Sequence, residues 1–175
     1  LTMIVYFAVV DETFEDSHMW QKARLILLGD ILYHGPRNDL PKDYAPKKVI
    51  EMLNSISDSI LCVRGNCDCE VDQMVLDFPC LADYSMLDIN GLFIYCTHGH
   101  LEPVKLKPGS LLLCGHTHVP TLEDRDGIIY MNPGSVSIPK ENSPHSYMIL
   151  EDCVFTWKDL ETLSQYHYKE FPKSK

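Results

Sequence analysis

No stretch of this 175-residue chain is apolar for long enough to cross a bilayer. The longest, Leu1 to Val10, is broken by Thr2 and falls short of the roughly 20 residues a span needs. No basic segment precedes it, so a secretory signal is not expected either. Positive charge is scarce: 15 Lys and Arg stand against 25 Asp and Glu, a formal −10 with His neutral. Duplex nucleic acid, which is bound through clustered Lys and Arg, is therefore not an expected partner. Phosphate chemistry survives that exclusion if metal cations supply positive charge locally. Cysteine is present but unpatterned. Its seven copies are odd in number, no two have C-x-x-C spacing, and Cys62, Cys96 and Cys114 sit inside apolar runs. That excludes a cysteine zinc site and argues for a reducing, cytoplasmic setting over a disulfide framework. With 45% hydrophobic and 23% charged residues the composition is that of a soluble globular chain, and the length predicts one domain, residues 1–175.

The first half alternates strand and helix signals. Met3–Val10, Leu25–Leu28 and Ile60–Val63 read as strands, with a helix toward Trp20 after the first of them. Pro46–Ser57 reads as a helix, because Pro46 suits a first turn and Val49, Met52, Leu53 and Ile56 recur at helical spacing. Val71–Phe78 reads as a shorter one. Alternation of this kind predicts parallel strands with crossover helices. In the second half, Asn90-Gly91, Asp126-Gly127 and Glu151-Asp152 each stand at a strand boundary and predict hairpins. The expectation is an α/β fold of two packed sheets with outer helices, followed by a loosely held tail over 166–175.

Four apolar runs each end in a small residue and a potential metal ligand: Gly29-Asp30, Gly65-Asn66, Thr97-His98-Gly99-His100 and Gly115-His116-Thr117-His118. Strand ends in α/β sheets are where loops gather side chains into a site. One carboxylate, one amide and several imidazoles, without thiolate, suit manganese, iron or zinc better than calcium or magnesium. Asp30 has two oxygens and can bridge two cations. His116 and His118 would share a face on a strand, or diverge to two metals in a loop. Taken singly, Gly-Asp and Gly-Asn are ordinary turn dipeptides, and His18, His34, His145 and His167 are expected to be structural or solvated.

The ordered set resembles the calcineurin-like metallophosphoesterases. Gly29–Asn38, Gly65–Met74, Thr97–Leu101 and Asn132–Pro139 resemble, more narrowly, the bacterial YfcE-type phosphodiesterases. The resemblance implies a four-layer αββα sandwich of two mixed sheets. It also implies two divalent ions, manganese foremost with zinc, iron or nickel as alternatives, and a small phosphodiester substrate. It implies that Asp30 bridges both ions, that Asn66, His98 and His116 hold the second, and that His118 completes the first. Hydrolysis would proceed by in-line attack of a hydroxide bridging the metals, with Asn66 also hydrogen-bonding the phosphate. Cys67 stands where much of the superfamily has His, so His100 is the candidate for protonating the leaving group. The alternatives are a weak or inactive interaction module of the same fold, like the phosphoesterase-fold subunit of retromer, and a phosphomonoesterase. The Tyr33–Tyr44 loop and apolar strand edges are candidate surfaces for a homo-oligomer.

The family's first strand should end in Asp-x-His, and here it runs into Phe7-Ala8-Val9-Val10-Asp11. Asp16-Ser17-His18 has the letters but no strand before it. Thr2 to Leu28 is 27 residues, where a strand–helix–strand unit needs about 30. The spacing predicts that a loop and a helical turn are missing near Ala8–Val9, and that the stretch from His100 to Gly109 is shortened too.

Overall fold

The computed structural model describes residues 4–8, 23–102 and 105–172. β1 (Ile4–Ala8), β2 (Ala23–Leu27) and β3 (Ile60–Cys62) pair in parallel. β9 (Ser146–Glu151), β10 (Val154–Asp159) and β11 (Gln165–Glu170) extend that sheet antiparallel beyond β1, in the order β11-β10-β9-β1-β2-β3. The second sheet is β4 (Tyr84–Ile89), β5 (Leu92–Thr97), β6 (Leu111–Cys114), β8 (Ile128–Asn132) and β7 (Thr121–Arg125), in that order, with a parallel centre of β5, β6 and β8. Both sheets are mixed, as the α/β reading requires.

Alternation places the core. In β2 and just beyond it, Ile26 and Leu28 point between the sheets with Ile94, Leu113, Met131, Met148, Phe155 and Trp157. Leu25 and Leu27 point outward, where Val49 and Leu53 of α1 (Pro46–Asn54) cover them. A central strand buried on both faces reads as a continuous apolar run, which is why 25–28 shows no polar alternation. Helices are few among the described residues: α1, the single turn α2 (Glu70–Gln73) and a 3-10 turn over Ser57–Ser59. They leave Tyr84, Met86 and Phe93 of the second sheet exposed.

Several boundaries differ from expectation. α1 stops at Asn54, whose side chain donates to Val75 O at 2.9 Å and accepts from the Asp77 N–H at 2.9 Å. Ser55 Oγ bonds back to Met52 O, and such local bonds compete with a helical ladder. The last hairpin turns at Asp152-Cys153, one residue later than expected, with both residues at positive φ and Glu151 paired to Val154. Cys153 is an unusual residue for that conformation, and its side chain is buried in the intersheet core. Over its described residues, 166–172, the tail is not loose. Gln165–Glu170 is an ordered edge strand, with His167 packed 5.1 Å from the Trp157 ring and Phe171 at 5.7 Å from Phe155. The predicted helix toward Trp20, Asp16-Ser17-His18 and the gap near Val9 lie outside the described residues, as does part of the 100–109 stretch.

Candidate metal centre

The carboxyl ends of β2, β3, β5 and β6 meet at one rim where the two sheets face each other. The ends are level, since Leu27 pairs with Cys62 in one sheet and Thr97 with Cys114 in the other. Close approach at the rim depends on glycine. Gly29 has φ +91°, and a Cβ there would collide with Gly65 N and lie 2.9 Å from His98 Nδ1. A Cβ on Gly65 would overlap the Asp30 carboxylate. Asp30, His116 and His118 themselves adopt φ of 58°, 63° and 62°. Asp and His tolerate this left-handed region better than most residues, and its modest strain concentrates at functional sites.

Three candidate ligands converge on one ring nitrogen. His98 is buried, and its Nδ1 lies 2.5 Å from Leu28 O. A carbonyl can only accept, so Nδ1 carries the proton and Nε2 is left to the site. Around Nε2 stand Asp30 Oδ2 at 3.3 Å, Asn66 Oδ1 at 3.2 Å and His116 Nδ1 at 3.2 Å. A lone pair among a carboxylate and an amide oxygen is repulsive unless positive charge enters. A proton on His98, whose pKa is raised, or a divalent cation would supply it. His118 repeats the logic, its Nδ1 donating to Ile138 O at 2.7 Å so that Nε2 is unprotonated. A narrow space of about 20 Å³ lies between Asp30, His98, His116 and His118. No three His, Cys, Asp or Glu side chains among the described residues already surround a common point as a finished cage. Instead they are drawn onto one another through His98. The donor chemistry fits a hard-to-borderline divalent ion, and the loop conformation of His116 and His118 settles that they do not share a strand face.

The electrostatics follow. Burial pushes Asp30 up, but the hydrogen bond and charge of His98, the Cys67 N–H at 2.8 Å and His116 together hold it below its ordinary value. Burial pushes His98 down, and the Asp30 carboxylate more than reverses this, so His98 is raised. His100, His116 and His118 are all lowered, first by burial and then, for His100 and His116, by the His98 charge. Burial and the Asp30 charge push the Cys67 thiol up to about 11, so it is a neutral thiol at pH 7. The Asn66 amide donates to Cys67 Sγ at 3.2 Å. His100 stands apart from the cluster, its ring 5.3 Å from that of His98 and its Nδ1 buried without a partner.

Three residues important to this rim were not singled out from the sequence. Asp68 is buried and accepts the N–H groups of Asp30 at 2.8 Å, Ile31 at 2.9 Å and Gly65 at 2.7 Å, stapling the loop after β2 to the loop after β3. A carboxylate two residues past Asn66 in a strand-end loop was the available signal. Asn132 is fully buried and donates to Gly115 O at 2.6 Å and Thr117 Oγ1 at 3.1 Å, clamping the loop that carries His116 and His118. His34, expected to be structural or solvated, lines the space around Asp30, His116 and His118, with Nδ1 buried and unpartnered.

Residues 14–153 match the calcineurin-like phosphoesterase superfamily domain. The chain belongs to this superfamily. Phosphodiesterase YfcE of Escherichia coli K12 is 47% identical over 136 residues, which is 75% of this chain and 74% of that protein. The solved structure of YfcE, described as a phosphoesterase from E. coli, superimposes with a TM-score of 0.87 at 40% identity, covering 95% of this chain and 98% of the other. Vacuolar protein sorting 29 of Cryptosporidium parvum shares the fold alone, with a TM-score of 0.62 at 19% identity over 98% of this chain and 99% of the other. The phosphoesterase reading of the sequence therefore holds, as does the α/β fold of two mixed sheets. No helix of the described residues is long and apolar enough to cross a membrane.

Proposed function

We propose that the chain is a metal-dependent phosphodiesterase acting on small phosphodiesters, with Asp30, Asn66, His98, His116 and His118 as ligands to two divalent ions, manganese foremost. The observation that carries this reading is the convergence of Asp30, Asn66 and His116 on His98 Nε2, all within 3.3 Å, from four strand ends of two sheets. When bound, such ions would polarise the phosphoryl group and lower the pKa of an attacking water. The remaining work falls to the chain. Asp68 and Asn132 hold the ligand-bearing loops in register, and the Leu28 and Ile138 carbonyls fix the tautomers of His98 and His118. Asn66 would hydrogen-bond the phosphate through its amide, which donates to Cys67 Sγ at 3.2 Å, and Asp30 and His116 are brought together at His98 Nε2.

Cys67, a neutral thiol, leaves the leaving group without a cationic donor at that position, and His100 takes the role. Burial and the His98 charge lower its pKa, so its protonated form is a better proton donor than a free imidazolium. His100→Asn is expected to slow alkyl leaving groups by about 100-fold while barely changing p-nitrophenolate, which departs without a proton. Equal losses for both leaving groups would remove His100 from that role. The primary experiment is hydrolysis of bis(p-nitrophenyl) phosphate after chelation and after addition of Mn²⁺. Activity should vanish and return, and a protein that binds Mn²⁺ yet never turns over the diester would return the fold to the scaffold reading.

A further inference from the structure

A cavity of about 540 Å³ opens beside the candidate ligands, between the loop after β2 and the segment after Ile138. Its wall carries two cations, Arg37 and Lys140, and Asp30 is its sole carboxylate among the described residues. In a chain with 25 acids and 15 bases this local balance runs against the composition. Among the described residues neither cation makes an ion pair, whereas the exposed Arg125 is held by Glu123 at 2.7 Å. Each is nevertheless anchored near a proposed ligand. The Lys140 N–H donates to His118 O at 3.3 Å. The turn bearing Arg37 is closed by the Asn38 N–H on Gly35 O, and Gly35 packs so closely on Cys67 that a Cβ would lie 2.9 Å from its sulfur. Gly35 also has φ +77°, so that approach is reserved for glycine.

A diester phosphate carries one negative charge, and bound metal ions would meet it at Asp30. Two further cations on the adjoining wall are surplus to that need. Positive charge lining a cavity raises the local concentration of anionic ligands and selects among them. We propose that Arg37 and Lys140 form a subsite for a second anionic group, a carboxylate or a phosphate, on an arm of the diester away from the scissile phosphorus. The substrate class is then a small diester bearing at least two negative charges. This rests on the phosphodiesterase reading and narrows it.

The test compares two substrates with one leaving group, p-nitrophenyl ethyl phosphate and p-nitrophenyl 2-carboxyethyl phosphate, on the Mn²⁺-loaded protein. The carboxylate substrate should show a KM about 10-fold lower, with little difference in kcat, as two solvent-accessible charge contacts allow. The ratio should shrink toward one in the double variant R37Q/K140Q, and in 0.5 M salt, where the Debye length is only about 4 Å. Equal KM values in the unaltered protein overturn the subsite and leave the phosphodiesterase reading standing. A ratio that survives in R37Q/K140Q assigns the selectivity to other residues and overturns the proposal equally. Should neither diester be cleaved, the functional reading fails and the subsite is judged by calorimetry. Tighter binding of 2-carboxyethylphosphonate than of propylphosphonate, lost in R37Q/K140Q, supports it, and equal binding overturns it.

Discussion

Asp30→Asn is expected to lower kcat/KM for an aryl phosphodiester by about a thousandfold or more, equivalent to about 4 kcal/mol of transition-state stabilisation. The substitution keeps the shape and one oxygen acceptor for the Cys67 N–H, so the loops should stay in place. What it removes is the negative charge facing His98 Nε2 at 3.3 Å. Without that charge the main influence raising His98 is gone and burial pulls its pKa down, and bound divalent ions would lose the proposed bridging ligand. The expected signature is joint: turnover collapses, Mn²⁺ content measured on the purified protein drops, and the folded baseline in circular dichroism is unchanged. Turnover retained in the Asp30→Asn variant would detach Asp30 from the chemistry.

The same pair sets a pH dependence. Asp30 is held below its unfolded pKa, so its contribution to stability is present above that unfolded value and is lost as pH falls through the folded one. His98 is raised, so its contribution is complete below its unfolded pKa and is lost as pH rises through the folded one. The metal-free pair therefore stabilises the fold from mildly acid conditions to the region around neutrality. A metal held by His98 Nε2 would have to displace a proton there, because His98 is raised, whereas His100, His116 and His118 are lowered. Loading Mn²⁺ should release protons, more of them at mildly acid pH than at pH 8, read by calorimetry in buffers of different ionisation enthalpy. Affinity should climb with pH until His98 is deprotonated, and a pH-independent affinity would contradict the coupling.

Much of the rim was legible because its chemistry is written in adjacent residues. An apolar run ending in a small residue and a ligand marks a buried strand with a parallel neighbour and the loop at its carboxyl end, and 25–30, 60–66, 92–98 and 111–118 all behave so. Asn90-Gly91 and Asp126-Gly127 marked their hairpins because those residues take positive φ at little cost. What was illegible depends on partners distant in sequence. Cys153 turns a hairpin because the intersheet core holds its side chain, not because cysteine favours the turn. Gln165–Glu170 lacks an apolar pattern, since an edge strand with both faces largely exposed needs none, and its order comes from pairing with β10. Arg37 and Lys140 are 103 positions apart and share a wall only after both sheets have formed.

Asp68→Ala is expected to be the most damaging change to the scaffold of the site. It strips the acceptor from three N–H groups, those of Asp30, Ile31 and Gly65, two of them in buried bonds. Each orphaned donor costs about 1–3 kcal/mol, so a total of about 3 kcal/mol or more is expected. For a chain of this size that lowers Tm by about 10 °C. An opposing effect limits the loss. Burial, with repulsion from Asp30, outweighs the three hydrogen bonds and raises the Asp68 pKa, so the ionised form is itself costly. A raised carboxyl favours the fold fully below its unfolded pKa, and that favour is lost as pH rises through the folded value. Asp68→Asn, neutral and of the same shape, should therefore be milder than Asp68→Ala. Because Asp68 fixes the backbone of Asp30 at φ 58°, Asp68→Ala should also weaken Mn²⁺ binding by about 10–100-fold, as loss of an outer hydrogen-bonding partner does in other metal sites. Thermal melts and Mn²⁺ titrations of both variants decide it. If Asp68→Ala melts and binds like the unaltered protein, the loops after β2 and β3 are held by something other than this carboxylate.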